Sequence, residues 1–136
     1  MIFTKGLSTN TRRWSDLDLD FIKHPTTNDI VRKTDVEAVK RSVRNLILTN
    51  RYDRPFQPEI DGGVTRYLFE LATPSTKADI EYAIKNTIAN FEPRAEVISV
   101  NVGGNIDKNE IHVTLTFRVI NVPEPVTIEL FLERLR

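Results

Sequence analysis

The chain contains no cysteine, which excludes disulfide staples and thiolate metal sites and suits a reducing compartment or a particle assembled in one. Net charge is also absent. Nineteen Lys and Arg balance nineteen Asp and Glu over 136 residues, so no bulk field draws the chain to nucleic acid or anionic lipid. No apolar run approaches the roughly 18 residues of a membrane span, and residues 1–14 lack the apolar stretch of a secretory signal. These absences describe a soluble, non-exported chain without membrane or nucleic-acid partners. Only His24 and His112 are available as imidazoles, and no carboxylate spacing completes a zinc set around them, so no metal or other cofactor is expected. There is no Gly-x-Ser-x-Gly, no phosphate-binding loop and no dinucleotide fingerprint, which removes the commonest acyl, phosphoryl and hydride chemistries. Internal repeats and low-complexity tracts are missing as well.

What is present is one domain's worth of patterned sequence. Residues 1–33 lack a sustained period and are rich in Thr, Asn, Asp and Arg, which predicts an extended arm with at most a short strand near Asp16 to Phe21. From residue 34 to 136 a single α+β domain is expected. Thr34 and Glu37 have capping-box spacing, and Val36, Val39, Val43, Leu46 and Ile47 then make one apolar helical stripe ending near Thr49 and Asn50. Prolines at 55 and 58 and the pair Gly62-Gly63 mark a loop, with Phe56 and Ile60 expected to plug it onto the core. Val64 to Leu71 reads as a short helix with Tyr67, Leu68 and Leu71 inward. A longer one follows from about Thr76 to Phe91, with Ile80, Ala83, Ile84, Ile88 and Phe91 on its buried face.

After Arg94 the period changes from 3.6 to two. Val97 to Val102 reads as a strand, with a turn starting at Gly103-Gly104-Asn105. Ile111, Val113, Leu115, Phe117 and Val119 alternate with polar residues in a second strand. Beyond Pro123 and Pro125, Val126, Ile128, Leu130 and Leu132 alternate in a third. Helices first and strands last imply a small three-stranded antiparallel C-terminal sheet covered by helices on one face. Such a sheet has two edges, and an uncovered edge is where another chain's strand can add. Glu129, Glu133, Arg134 and Arg136 on the last strand either protect that edge by charge or flank a pairing site. The charge is weakly polarised: residues 1–68 carry 12 basic and 9 acidic side chains, residues 69–136 carry 7 and 10.

Three features bear on chemistry or recognition. Glu92-Pro93-Arg94 stands where the long helix must stop, because proline has no backbone donor and pushes its predecessor out of the helical region. A carboxylate at a helix C-terminus is disfavoured by roughly 0.3–1 kcal/mol, so Arg94 is its natural compensator. The turn is therefore either a local ion pair or a pair of charges held outward for docking, an arginine fork being suited to carboxylates and carbonyls. Lys40, Arg41 and Arg44 line the polar side of the first helix, a pattern that is most often only a solvated face; with Arg54, Phe56 and Glu59 they form a second candidate contact surface. Asp16, Asp18 and Asp20 tempt a calcium assignment, but Phe21 and Thr27 stand where a calcium loop needs glycine and glutamate, and alternation with Leu17 and Leu19 fits an extended segment better. Glu59, Asp61 and Glu92 could place two carboxyls at glycosidase separation, about 5–9 Å. A general acid needs a raised pKa, however, and Arg94 would shift Glu92 the other way.

Ser15 to Phe21, Arg54-Pro55-Phe56-Gln57-Pro58-Glu59 with Gly62, Leu68-Phe69-Glu70, Glu92-Pro93-Arg94 and the closing Leu132 to Arg136 occur in an order that resembles the phage T4 baseplate wedge subunit family. That family is shared with type VI secretion systems and other contractile injection machines. The resemblance implies a fold like the strand-exchanging handshake part of the sheath protein. It also implies a structural, non-enzymatic role in the tail baseplate of a virion assembled in the host cytoplasm. By the same resemblance Glu92, Pro93 and Arg94 would dock on the helical core bundle of the wedge. Val126, Ile128, Glu129, Leu130 and Leu132 would pair with strands of the first sheath ring. Some T4-type relatives carry a lysozyme label, which makes a peptidoglycan-degrading hydrolase the alternative function. Residues before Asp16 match no family pattern.

Overall fold

The computed structural model describes residues 14–18, 20–70, 73–105 and 110–133. The expectations for the arm before Trp14, for Leu71 and for Arg134 and Arg136 lie outside the described residues. The chain divides into two compact units, Met1–Ala38 and Val39–Arg136.

Within the first unit, β1 (Ser15–Leu17) pairs antiparallel with β2 (Arg32–Thr34), Asp16 standing opposite Lys33. The strand expected from Asp16 to Phe21 is thus shorter, and its partner at Arg32–Thr34 was not foreseen. Asp18 is fully buried and lies 3.7 Å from the Lys33 ammonium. Its carboxylate also receives the Asp20 amide at 3.3 Å. No group of three His, Asp or Glu side chains among the described residues is placed to hold a metal ion.

Helix α1 (Asp35–Leu48) begins immediately after β2, so Thr34 is the last residue of a strand, and Asp35 and Glu37 occupy the favourable positive pole of the first turn. Val39, Val43, Leu46 and Ile47 are buried, as the 3.6-residue period predicts; Val36 is only half-buried. At the other end, the amides of Gly62 and Gly63 donate to Thr49 O at 3.0 and 3.3 Å, satisfying a carbonyl just past the helix. A Cβ at Gly62 would collide with the carbonyl oxygens of Leu46 and Ile47, which explains why glycine stands there.

A 3-10 turn (Val64–Phe69) buries Val64 and Leu68 and leaves Tyr67 half-buried. Helix α2 (Pro74–Phe91) starts with Thr73 as its cap, the Thr73 hydroxyl accepting from the Thr76 amide at 3.2 Å, and with proline at its first position, where no donor is needed. Its Ile80, Ile84 and Ile88 are buried, and the helix packs on the first strand of the sheet.

That sheet is a meander of β3 (Ala95–Asn105), β4 (Glu110–Val119) and β5 (Pro125–Glu133), antiparallel throughout and ordered β3-β4-β5. On β4, Val113, Leu115, Phe117 and Val119 are fully buried, each worth about 1.5–3 kcal/mol of transfer free energy for the larger side chains. Gly103 and Gly104, expected to open a turn, continue β3 instead and pair with His112 and Ile111. A Cβ on Gly104 would run into Glu110 O, so this glycine serves close strand approach rather than chain reversal. A register shift between Val97 and Ser99 turns Ile98 outward.

Candidate docking site

The turn between α2 and β3 is assembled from three hydrogen bonds of its backbone. Glu92 N donates to Ile88 O at 2.9 Å, closing the helix; Ala95 N donates to Glu92 O at 3.1 Å; Ile120 N donates to Arg94 O at 3.0 Å, fastening the turn to the end of β4. On this frame Arg94 embraces Glu92 with two parallel bonds, Nε to Oε1 at 2.6 Å and Nη2 to Oε2 at 2.8 Å. Ser42 of α1 adds a further hydrogen bond to the carboxylate.

Of the two readings of this turn, the local ion pair is formed, and Glu92 is turned inward rather than held outward: its side chain is only 3% exposed, while Arg94 keeps 24%. The physical reason is the α1 helix. Ser42, half-buried on α1 next to the buried Val43, supplies a donor where the carboxylate arrives. Burial pushes the Glu92 carboxyl upward, but the hydrogen bonds from Arg94 and Ser42 and the guanidinium charge outweigh it and hold the group below its ordinary pKa. Glu92 therefore stays ionised and positions the guanidinium, and it is Arg94, with the exposed Pro93 beside it, that reaches the surface.

Strand β5 pairs with β4 from Glu133 opposite Glu110 to Pro125 opposite Arg118, and no strand among the described residues pairs with its other edge. Val126, Leu130 and Leu132 are buried and Ile128 is half-buried, so those side chains serve the core and only the backbone of this edge is on offer. Glu129 and Glu133 face solvent, and Phe131, 59% exposed, meets His112 edge-on at 5.4 Å.

The residues of the second candidate surface differ in exposure. Lys40 and Arg41 are half-buried, whereas Arg44, Arg54 and Glu59 are exposed. Phe56, expected to plug the loop, is 97% exposed; Ile60 alone dips into the core. Tyr52 N to Pro58 O at 3.3 Å and Gln57 N to Arg54 O at 3.2 Å close the loop on itself, which leaves Phe56 at its tip. Of the three carboxylates considered for glycoside chemistry, Glu59 and Asp61 line a common groove and Glu92 is not in it. Asp61 is tied to Arg66 at 2.9 Å.

The sequence profile of the family described as baseplate wedge protein gp25 matches residues 33–124, which include α1, α2, the turn and most of the sheet. The chain belongs to the baseplate wedge protein gp25 family. Within it, baseplate wedge protein gp25 of Enterobacteria phage T4 is 32% identical over 113 residues, 83% of this chain and 85% of that protein. The fold is shared with a chain in the cryo-EM structure of the anti-feeding prophage baseplate, TM-score 0.70 at 23% identity, covering 82% of this chain and 90% of the other. It is also shared with a Geobacter sulfurreducens crystal structure whose protein carries a proposed tail-lysozyme label, TM-score 0.64 at 20% identity, covering 74% and 91%. Family membership agrees with the motif order in the sequence and with the α+β architecture of helices over a three-stranded antiparallel sheet.

Proposed function

We propose that this chain is a non-enzymatic structural component of a contractile-tail baseplate wedge. It docks on the helical core bundle of the wedge through the Glu92-Pro93-Arg94 turn and templates the first sheath ring along the edge of β5. The observation that supports the docking role is the bidentate Arg94–Glu92 pair: a buried carboxylate binds Nε and Nη2 and so fixes the orientation of a guanidinium that is a quarter exposed at the surface. The open β5 edge supports the second role, since a strand added there would gain main-chain hydrogen bonds without disturbing the core. The exposed Phe56, with Arg54 beside it, fits an auxiliary contact, a protruding aromatic being a common anchor of protein interfaces. Assembly in the host cytoplasm and residence in the virion tail follow from this role.

Two variants separate the parts. Arg94→Lys keeps a cation against Glu92 but loses the fork, and is expected to fold and to fail to join wedge complexes. Glu129→Pro probes the edge. Glu129 has the same strand parity as the native Pro125, which has no N–H to give β4, and as Thr127, whose hydroxyl lies 3.2 Å from that of Thr116 across a close pair. The Glu129 amide therefore faces away from β4, and proline there removes an outward donor while sparing the sheet. Unchanged sheath polymerisation on folded Glu129→Pro protein would refute the template role. Peptidoglycan hydrolysis, the competing function, is disfavoured by Glu92 itself, an ionised and ion-paired group with no proton to give at neutral pH. Clearance of cell-wall substrate by the purified chain, lost on Glu59→Gln, would reinstate it.

A further inference from the structure

Outside the docking turn, α2 and the segment 59–67 enclose an open groove of about 570 Å³, a volume within the range of about 300–1,000 Å³ typical of ligand pockets. Asp79, Tyr82 and Asn86 line one wall at steps of three and four along α2; Glu59, Asp61 and Arg66 line the other. The groove already shows how it holds a cation. The Arg66 guanidinium bonds Asp61 at 2.9 Å, lies 4.9 Å from the centre of the Tyr67 ring and donates to the Tyr67 hydroxyl at 3.1 Å. Asp79 and Tyr82 repeat that pairing of carboxylate with aromatic ring one helical turn apart, Tyr82 being 73% exposed. Arg66 balances Asp61, while Glu59 and Asp79 have no ion pair among the described residues. The lining thus carries an excess of two negative charges beside an exposed aromatic face.

We propose that this groove receives a basic segment of another protein of the assembly, an arginine or lysine of which lies between Asp79 and Glu59 and stacks on Tyr82. The chemistry asks for a cation with a flat or flexible stem, because carboxylates attract the charge and the tyrosine face attracts the same group through its quadrupole. The proposal rests on the reading of the chain as a wedge component, and adds to it a second contact of opposite polarity to Arg94.

The test uses short overlapping peptides covering the other baseplate proteins of the same tail, titrated into the full chain by fluorescence or NMR. Peptides that bind are expected to carry lysine or arginine and to weaken with added salt. Asp79→Lys combined with Tyr82→Ala should weaken them by at least about tenfold. Absence of any basic peptide that binds, or equal binding of the basic peptides by the double variant, overturns the proposal. So does displacement of the peptide by a cell-wall oligosaccharide, which would make the groove a sugar site. Incorporation into wedges distinguishes the two levels. Failure of wild-type chain to join a wedge defeats the wider reading. A double variant that joins as readily as wild type defeats the groove alone.

Discussion

Arg94→Ala removes the guanidinium from a carboxylate that is only 3% exposed, leaving Glu92 with Ser42 as its remaining side-chain donor. Breaking a buried pair by deleting one partner costs about 3–5 kcal/mol; because Arg94 itself is a quarter exposed and Ser42 stays, about 2–3 kcal/mol is the appropriate expectation here. The pH dependence supplies the signature. In the wild type the Glu92 carboxyl is held below its ordinary pKa, so the pair's contribution is fully present above the unfolded carboxylate range and is lost as pH falls through the lowered folded value. In the variant, burial acts unopposed by Arg94 and the folded pKa moves upward, so protonation relieves the charge early. The stability gap between the two proteins should therefore be widest near neutral pH and narrow on acidification. Urea denaturation at neutral pH and near pH 4 measures it, with a midpoint shift of about 1 M expected at neutrality for a slope of about 2–3 kcal/mol/M. A shift below about 0.3 M, or one identical at both pH values, would show that Glu92 is not a buried charge held by Arg94. The same reasoning makes Arg94→Ala a poor probe of docking, since loss of binding would be mixed with loss of fold.

Other outcomes follow from the same geometry. Glu92→Gln keeps the shape and loses the charge, and should flatten the acid dependence of stability that the wild type shows, read by thermal melts across the acid range. Gly62→Ala forces a Cβ against the Leu46 and Ile47 carbonyls and should cost about 1–3 kcal/mol by chemical denaturation. Phe56→Ala should leave stability within about 0.5 kcal/mol of wild type, because the ring touches little, and any weakening of wedge binding then reports a true interface contact.

Much of the fold was legible in periodicity. The stripes of α1 and α2, the alternation on β4 and the order of helices before strands come from patterns of three, four and two residues that packing enforces over long segments. What periodicity could not supply was set by partners distant in sequence. Gly103 and Gly104 read as a turn because glycine breaks strands locally, yet Glu110 across the sheet is what demands the missing side chain. Phe56 read as core by its chemistry, and only the loop's closure on itself put it in solvent. The docking motif was visible as residues and as a helix stop, but the depth of Glu92 depends on Ser42, which no local pattern near residue 92 reveals. Likewise the groove joins residues of two segments that the sequence presents separately.

The most direct test of the account is the affinity of the chain for reconstituted wedge core bundle, compared between wild type and Arg94→Lys after both are shown to be folded. A loss of about tenfold or more in the lysine variant, with stability changed by no more than about 1 kcal/mol, is the result expected if a preorganised guanidinium fork anchors this protein in the wedge. Equal affinities would contradict it, reducing Glu92-Pro93-Arg94 to an internal clasp that ends a helix.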